Sequence, residues 1–302
     1  MEARPRMGHL MTAQILCRAC RLPMTTIGAS RLHATCDIDP DILATELFGI
    51  IEEAIAHQPR TLQTSIGPSE IGNPCERRIG YKLAATPPVN GVGAVNWKAF
   101  VGTAIHEILA DIIGRDELRN LAGDDFTSTR WHVEEKVRPG MSINGVDVEG
   151  SCDLFDAATG TVWDWKTTTR NKIREQYRPH GVGDQYEVQA QLYGAGWAAQ
   201  GFDVRTVGVI FLTRDGEFTD RHVWHAPFDR NRAKAALERV RGISNAIIGL
   251  GAAMAIPMLD TAPAYCRFCP YFQQNGSNDS RSCAGNFTDK QEQPTLTQAI
   301  GA

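Results

Sequence analysis

Apolar positions along the chain change period several times, and each change marks an element. From Pro40, Leu43, Leu47, Ile50, Ile51 and Ala54 recur at helical spacing, with Asp39 as N-cap ahead of a first-turn proline. A second helix is predicted from Asn96 to Ile113, striped by Trp97, Val101, Ala104, Ile108 and Ile112. The period then falls to two. Trp131, Val133, Glu135 and Val137 alternate, Asn144-Gly145 offers a tight hairpin turn, and Val146 and Val148 resume the strand. Strands around Cys152–Asp156 and Thr161–Lys166 flank a short turn at Ala157–Gly160. A helix from Gln185 to Gln200 capped by Asp184, a strand over Val204–Thr213 and a helix from Arg230 to Leu250 behind Asp229 complete the pattern. This order predicts one α/β core with helical additions and no internal repeat.

The two ends read differently. Residues 1–36 carry Arg4, Arg6, Arg18, Arg21 and Arg31 against the single acid Glu2 and show no period. They read as an unfolded basic leader, either a targeting peptide or an upstream extension. Within it, Cys17, Cys20, His33 and Cys36 form a set that zinc could use. Residues 37–285 are expected to form the folded domain and 286–302 a polar tail.

Composition narrows the class. Of 302 residues, 42% are hydrophobic and 22% charged, which supports a packed core and excludes a collagen, a long coiled coil or a mostly disordered chain. No run approaches the ~20 apolar residues of a membrane-spanning helix. The net charge of −4 means that any nucleic-acid contact needs a local basic patch. Eight cysteines without a secretory signal point to the cytoplasm and to reduced thiols, so clustered cysteines suggest metal.

The hairpin carries the sharpest chemistry. A symmetric turn between Ala158 and Thr159 sets Asp153 opposite Asp164, and alternation puts Lys166 on the same face as Asp164. Opposed carboxylates with Cβ atoms ~5 Å apart repel, and a hard divalent ion, magnesium or manganese, would compensate. A lysine one pleat along could orient a water or stabilise charge in phosphoryl transfer; a solvated hairpin face is the plain alternative. His106 lies opposite the apolar stripe of its helix, with Gly102 one turn earlier, and is a candidate third ligand or else an exposed histidine. Gln189 and Tyr193 share a helical face and could hold a phosphate or the lysine. Beyond Lys166 run Arg170, Lys172, Arg174 and Arg178 with Tyr177 and Tyr186 nearby, a patch suited to a DNA backbone and to unpaired bases. Cys266, Cys269 and Cys283 supply three thiolates. Cys75 is the favoured fourth, because Cys152 alternates with Asp153 and should enter the core. Zinc and an iron–sulfur cluster both suit four thiolates, and unconnected buried thiols remain the alternative.

Together these motifs resemble the PD-(D/E)XK nucleases, specifically the RecB-like branch that carries an iron–sulfur cluster. The CRISPR-adaptation exonucleases of the Cas-four family, the AddB nuclease domain and related phage exonucleases belong there. The resemblance runs from Ser69 to Cys283. Cys75, Arg77 and Tyr81 match the family's leading Cys-Arg-Tyr pattern, and Gly102 to His106 its G-x-x-x-H. Gly150, Asp153, Asp164 and Lys166 match its acidic hairpin, Gln189 to Tyr193 its Q-x-x-x-Y, and Cys266, Cys269 and Cys283 its closing cysteines. Two departures stand out: a long interval before Cys283, filled by Gln273–Ser282, and Asp rather than Glu before Lys166, an allowed variant. Glu134 or Glu135 could add a carboxylate.

The resemblance implies a restriction-endonuclease-like core, a mixed central sheet flanked by helices, with helical N-terminal and Cys-rich C-terminal additions. It implies a metal-dependent DNA exonuclease in recombination, repair or phage replication. Magnesium or manganese would sit on His106, Asp153, Asp164 and the Trp165 carbonyl, Lys166 would position the water, and Gln189 and Tyr193 would orient DNA and lysine. A four-iron–four-sulfur cluster, in preference to zinc, would sit on Cys75, Cys266, Cys269 and Cys283 in a structural role. Linear or single-stranded DNA would meet Arg77, Arg170, Lys172, Arg174 and Arg178, with a recombination or annealing protein as partner. No G-x-x-x-x-G-K-[ST] occurs, so a stand-alone nuclease is expected. The rival readings are a non-catalytic four-cysteine DNA-binding module and a CRISPR-adaptation nuclease.

Overall fold

A computed structural model describes residues 40–57, 65–91, 96–121, 129–263 and 266–287. The Cys17, Cys20, His33 and Cys36 set and most of the polar tail lie outside them. The chain divides into two units, residues 1–56 and 57–302. The first contains α1 (Pro40–Ala56), the helix that the apolar spacing predicts.

In the second unit the alternating segments pair into one mixed sheet of five strands, in the order β1-β4-β5-β6-β7. The strands are β1 (Trp131–Val137), β4 (Gly150–Asp156), β5 (Thr161–Thr168), β6 (Thr206–Thr213) and β7 (His222–Pro227). Only β5 and β6 run parallel. A parallel step needs a crossover, and it is made by the helix α5 (Asp184–Ala199), which buries Ala190, Tyr193 and Trp197 with Val162, Val207 and Phe211 of the sheet. The opposite face meets α4 (Trp97–Leu121), where Gly102 lets the helix approach Thr167: a Cβ there would lie 3.2 Å from its Oγ1.

The β4–β5 hairpin has the register that a symmetric turn requires, with Leu154 opposite Trp163, Phe155 opposite Val162 and Asp156 opposite Thr161. Asp156 fixes the turn by accepting from the Ala158 amide and the Thr159 hydroxyl, and Arg130 grips it with two bonds of 3.0 Å.

Several expectations are corrected. Asn144 and Gly145 both have positive φ and make the tight turn. However, β2 (Ser142–Ile143) and β3 (Val146–Asp147) form a separate two-stranded ribbon rather than extending the main sheet. Ile143 and Val148 enter an apolar cluster with Leu237 and Val240 of the helix α6 (Arg230–Leu250), and that cluster anchors the ribbon. On α4 the faces are reversed: Trp97, Ile108 and Ile112 are more than half exposed, and the His106 side turns toward the sheet. Buried Glu117 explains part of this, because its carboxylate receives the Arg130 and Trp131 amides at the head of β1. Asp184 is the first residue of α5, and Gly183, at φ 79°, precedes it. Asp229 caps α6, accepting from the backbone amides of Asn231 and Arg232. The strand β7 and the short helices α2 (Pro68–Ile71), α3 (Glu76–Leu83) and α7 (Ala252–Met258) have no counterpart in the sequence reading. Among the described residues no helix is long and apolar enough to cross a membrane.

Candidate functional site

Pairing between β4 and β5 ends at Leu154 and Trp163. At the next position the Asp153 carboxylate takes over: its Oδ2 accepts the Trp165 amide at 2.7 Å. Its Oδ1 lies 3.3 Å from His106 Nδ1, so β4, β5 and α4 meet at this side chain. Glu134 of β1 joins them, with Oε1 4.0 Å from the same nitrogen. His106, Glu134 and Asp153 each offer a ligand atom, all within 4.8 Å of one another, a spacing that a metal ion could bridge. Glu134 reaches the site from a left-handed backbone, φ 52°, a conformation that costs a non-glycine residue ~1–3 kcal/mol. Glu135 instead bonds His132 Nδ1 at 2.8 Å. The sequence left Glu134 and Glu135 undecided, and regular alternation gives no sign of a residue that breaks it.

Asp164 is 1% exposed. Its Oδ1 accepts from Gln189 Nε2 at 3.0 Å, and the same nitrogen donates to the Tyr193 hydroxyl at 3.2 Å. Its Oδ2 sits 2.6 Å from Lys166 Nζ as an ion pair that lacks hydrogen-bond alignment. The lysine ammonium also lies 5.2 Å from the Tyr186 ring centre. All six polar candidates therefore converge, although Asp164 faces Lys166 rather than joining the compact His106, Glu134 and Asp153 trio. At Trp165 the backbone amide makes the contact with Asp153.

Electrostatics follow from this crowding. Burial, reinforced by neighbouring Asp153 and opposed by Lys166, pushes the Asp164 carboxyl up to about 6. Burial also works against ionised Asp153, but His106 and Lys166 outweigh it and hold that carboxyl below its ordinary value. Burial pulls His106 down, yet Asp153 lifts it above the usual imidazole value. Lys166 is likewise held high by Asp164 and Asp153 against its own burial. At neutral pH both carboxyls are therefore largely ionised, and Lys166 balances only one of their two negative charges. A divalent ion fits that donor set.

The cleft above these groups has a volume of about 800 Å³ and is walled by Pro68 and Ser69, by Thr103 and Glu107 of α4, and by Lys136 and Glu149. Gly150 lets the wall close. A Cβ there would lie 2.7 Å from Pro68 Cδ and 3.3 Å from Tyr193 Cε1.

The proposed DNA contacts separate. Arg77 Nη2 donates to the carbonyls of Pro257 and Leu259 at the end of α7. The basic run is helical, with a π-helical turn at Ile173–Tyr177 between Arg170–Lys172 and Arg178–His180. Arg170 pairs with Asp220, Arg178 donates to the carbonyls of Asp220 and Arg221, Lys172 lies over the Tyr177 ring, and Arg174 pairs with Glu175.

Cys75, Cys266, Cys269 and Cys283 line one cavity together with Arg78 and Tyr81, and no disulfide joins them. Backbone amides of Asn286 and Gly285 point at the sulfurs of Cys266 and Cys283, both at 3.3 Å. Cys152 is fully buried in the sheet core, as expected.

The chain belongs to the PD-(D/E)XK nuclease superfamily, whose family model matches residues 106–274. That stretch holds His106, Asp153, Asp164, Lys166, Gln189 and Tyr193; Cys75 and Cys283 lie outside it. Nucleases of this superfamily act on DNA and usually employ magnesium or manganese. Among solved structures, SSO0001 is similar with a TM-score of 0.44 at 14% identity, over 76% of this chain and 94% of the other. A phage-related exonuclease from Haemophilus somnus 129PT is similar with a TM-score of 0.29 at 10% identity, over 58% of this chain and 95% of the other. No curated protein gives a significant match.

Proposed function

We propose that this nuclease is a metal-dependent DNA exonuclease of the RecB-like kind, with Asp153, Asp164, His106 and Glu134 as the ligands of a magnesium or manganese ion. The observation that carries this reading is a buried carboxylate pair, one member pushed up to about 6, meeting a histidine and a lysine in one cleft. A bound ion there would polarise the scissile phosphate and acidify an attacking water. Lys166 holds positive charge beside Asp164, where it can orient that water or steady the charge that develops on the phosphate. Gln189 keeps Asp164 aimed by bonding its Oδ1, and Tyr193 holds Gln189 in turn. The exonuclease mode draws support from the motif order, Gly102 to Tyr193, shared with RecB-like exonucleases.

Digestion of end-labelled linear DNA with manganese tests the reading. Wild type should degrade it and Lys166→Ala should not, while a covalently closed circle should survive both. Nicking of the circle would replace the exonuclease by an endonuclease, and equal inertness of wild type and variant would remove the enzyme.

The four cysteines support a structural iron–sulfur cluster. All four line one cavity with Arg78 and Tyr81, a lining that suits a cuboidal centre. Anaerobic purification should give brown protein containing iron and acid-labile sulfide, and zinc with no visible absorbance would overturn the cluster.

A further inference from the structure

Lys166, Phe211 and His222 occupy one cross-strand row, so their side chains lie on one face of the sheet. Rings pack along this face beside the lysine, with Phe211 and Tyr177 buried and Tyr186 half-buried. Tyr186 lies 6.0 Å from Phe211 by ring centres, and Tyr177 stacks on Phe211 at 3.9 Å. At the far end stands the β6–β7 turn, residues 214–221. The Arg214 amide bonds the Thr168 carbonyl at 2.9 Å, and Thr168 is two residues beyond Lys166. Strand rise puts that point about 7 Å from the lysine, roughly two stacked nucleotides along a strand.

This turn is held rigidly. Arg170 grips Asp220 at 3.1 Å, Arg178 bonds the Asp220 carbonyl, the Arg170 amide bonds Asp215 at 2.7 Å, and Asp220 Oδ2 accepts the Glu217 amide at 2.9 Å. At its tip Phe218 is 70% exposed, with the Arg221 guanidinium 4.7 Å from its ring centre. A lone exposed phenylalanine is ordinary, but a large ring on a braced tip, backed by a guanidinium, is a preformed stacking surface. Residues 170–178 and 214–221 together carry six cations against four carboxylates, in a chain of net charge −4. This excess of cations lies on residues 170–178 beside the turn, and an anionic strand gains from it.

We propose that Phe218, backed by Arg221, is a platform on which an unpaired base of the DNA strand stacks as that strand leaves the nuclease cleft. The proposal rests on the nuclease reading and adds to it a recognition site for single strands. Stacking onto an aromatic ring is sequence-tolerant, so the platform tracks a strand without reading its bases.

The test is binding of a fluorescein-labelled oligothymidylate and of a blunt duplex of equal length, in a chelating buffer that prevents cleavage. Phe218→Ala should weaken single-strand binding about tenfold and duplex binding by less than about twofold. Phe218→Trp should retain the affinity, and the oligothymidylate should quench the emission of the added indole. Single-strand binding unchanged in Phe218→Ala, or lost equally for both DNAs, overturns the platform while leaving the nuclease reading intact. A wild-type protein that binds neither DNA overturns both.

Discussion

Asp164 is a buried carboxyl whose proton competes with any cation. Because Asp164 is pushed up to about 6 and His106 is lifted above the usual imidazole value, manganese affinity should fall as pH drops from neutral through 6, by about tenfold per unit for each ligand that must release a proton. Calorimetric titration with manganese on either side of pH 6 checks this, and a flat profile through that range contradicts it. Without a cation the linkage has two signs. Asp164 removes stability as pH rises from the ordinary carboxyl value of 3.8 toward about 6, since the folded state binds the extra proton there. Asp153, held low, contributes stability that is lost as pH falls through the acid range. The neighbouring glutamates separate the two halves of β1. Glu134→Gln should weaken manganese binding about tenfold or more, whereas Glu135→Gln, whose parent bonds His132, should leave it within about threefold.

Among the secondary-structure elements, the approach of Gly150 to α2 is the tightest at the cleft. Gly150→Ala must move Pro68, and should cost about 1–3 kcal/mol, read as a lower urea midpoint with an unchanged slope. The hairpin register is legible in the sequence because turn length and alternation fix it together, and that register brings Asp153, Asp164 and Lys166 to one end of the strand pair. On α4 the same kind of rule failed. It assigns the apolar stripe to the sheet, but this helix turns Gly102, His106 and Glu117 inward to meet a strand end and a polar cleft. The strand β7 was not legible because His222, His225 and Pro227 leave its period without a run of apolar residues. The choice of Glu134 over Glu135 depends on one left-handed residue, which no pattern of side chains announces.

Across the second unit, distant stretches of sequence are laced together around the four cysteines. The Tyr81 hydroxyl donates to the carbonyls of Asp279 and Ser282, at 2.6 and 2.7 Å, and the Arg77 side chain reaches the end of α7. Asn90 bonds the carbonyls of Arg267 and Cys269. A metal centre among these segments would contribute folding energy rather than chemistry. Cys269→Ala should therefore yield colourless, aggregation-prone protein with a lower melting temperature, and a stable, fully active variant would contradict the structural role.

The bond from the Trp165 amide to Asp153 also bears on which ion the cleft accepts. Asp153 Oδ2 accepts the Trp165 amide and Asp164 Oδ1 accepts from Gln189, while their second oxygens face His106 and Lys166, so neither carboxylate can grip an ion with both oxygens without giving up a partner. Calcium gathers roughly six to eight oxygens and often grips a carboxylate by both, whereas magnesium takes few protein ligands and keeps its waters. The cleft should discriminate against calcium by denticity, and because a backbone N–H holds Asp153, its share of the preference should persist through any substitution of Trp165 except proline, which has no N–H.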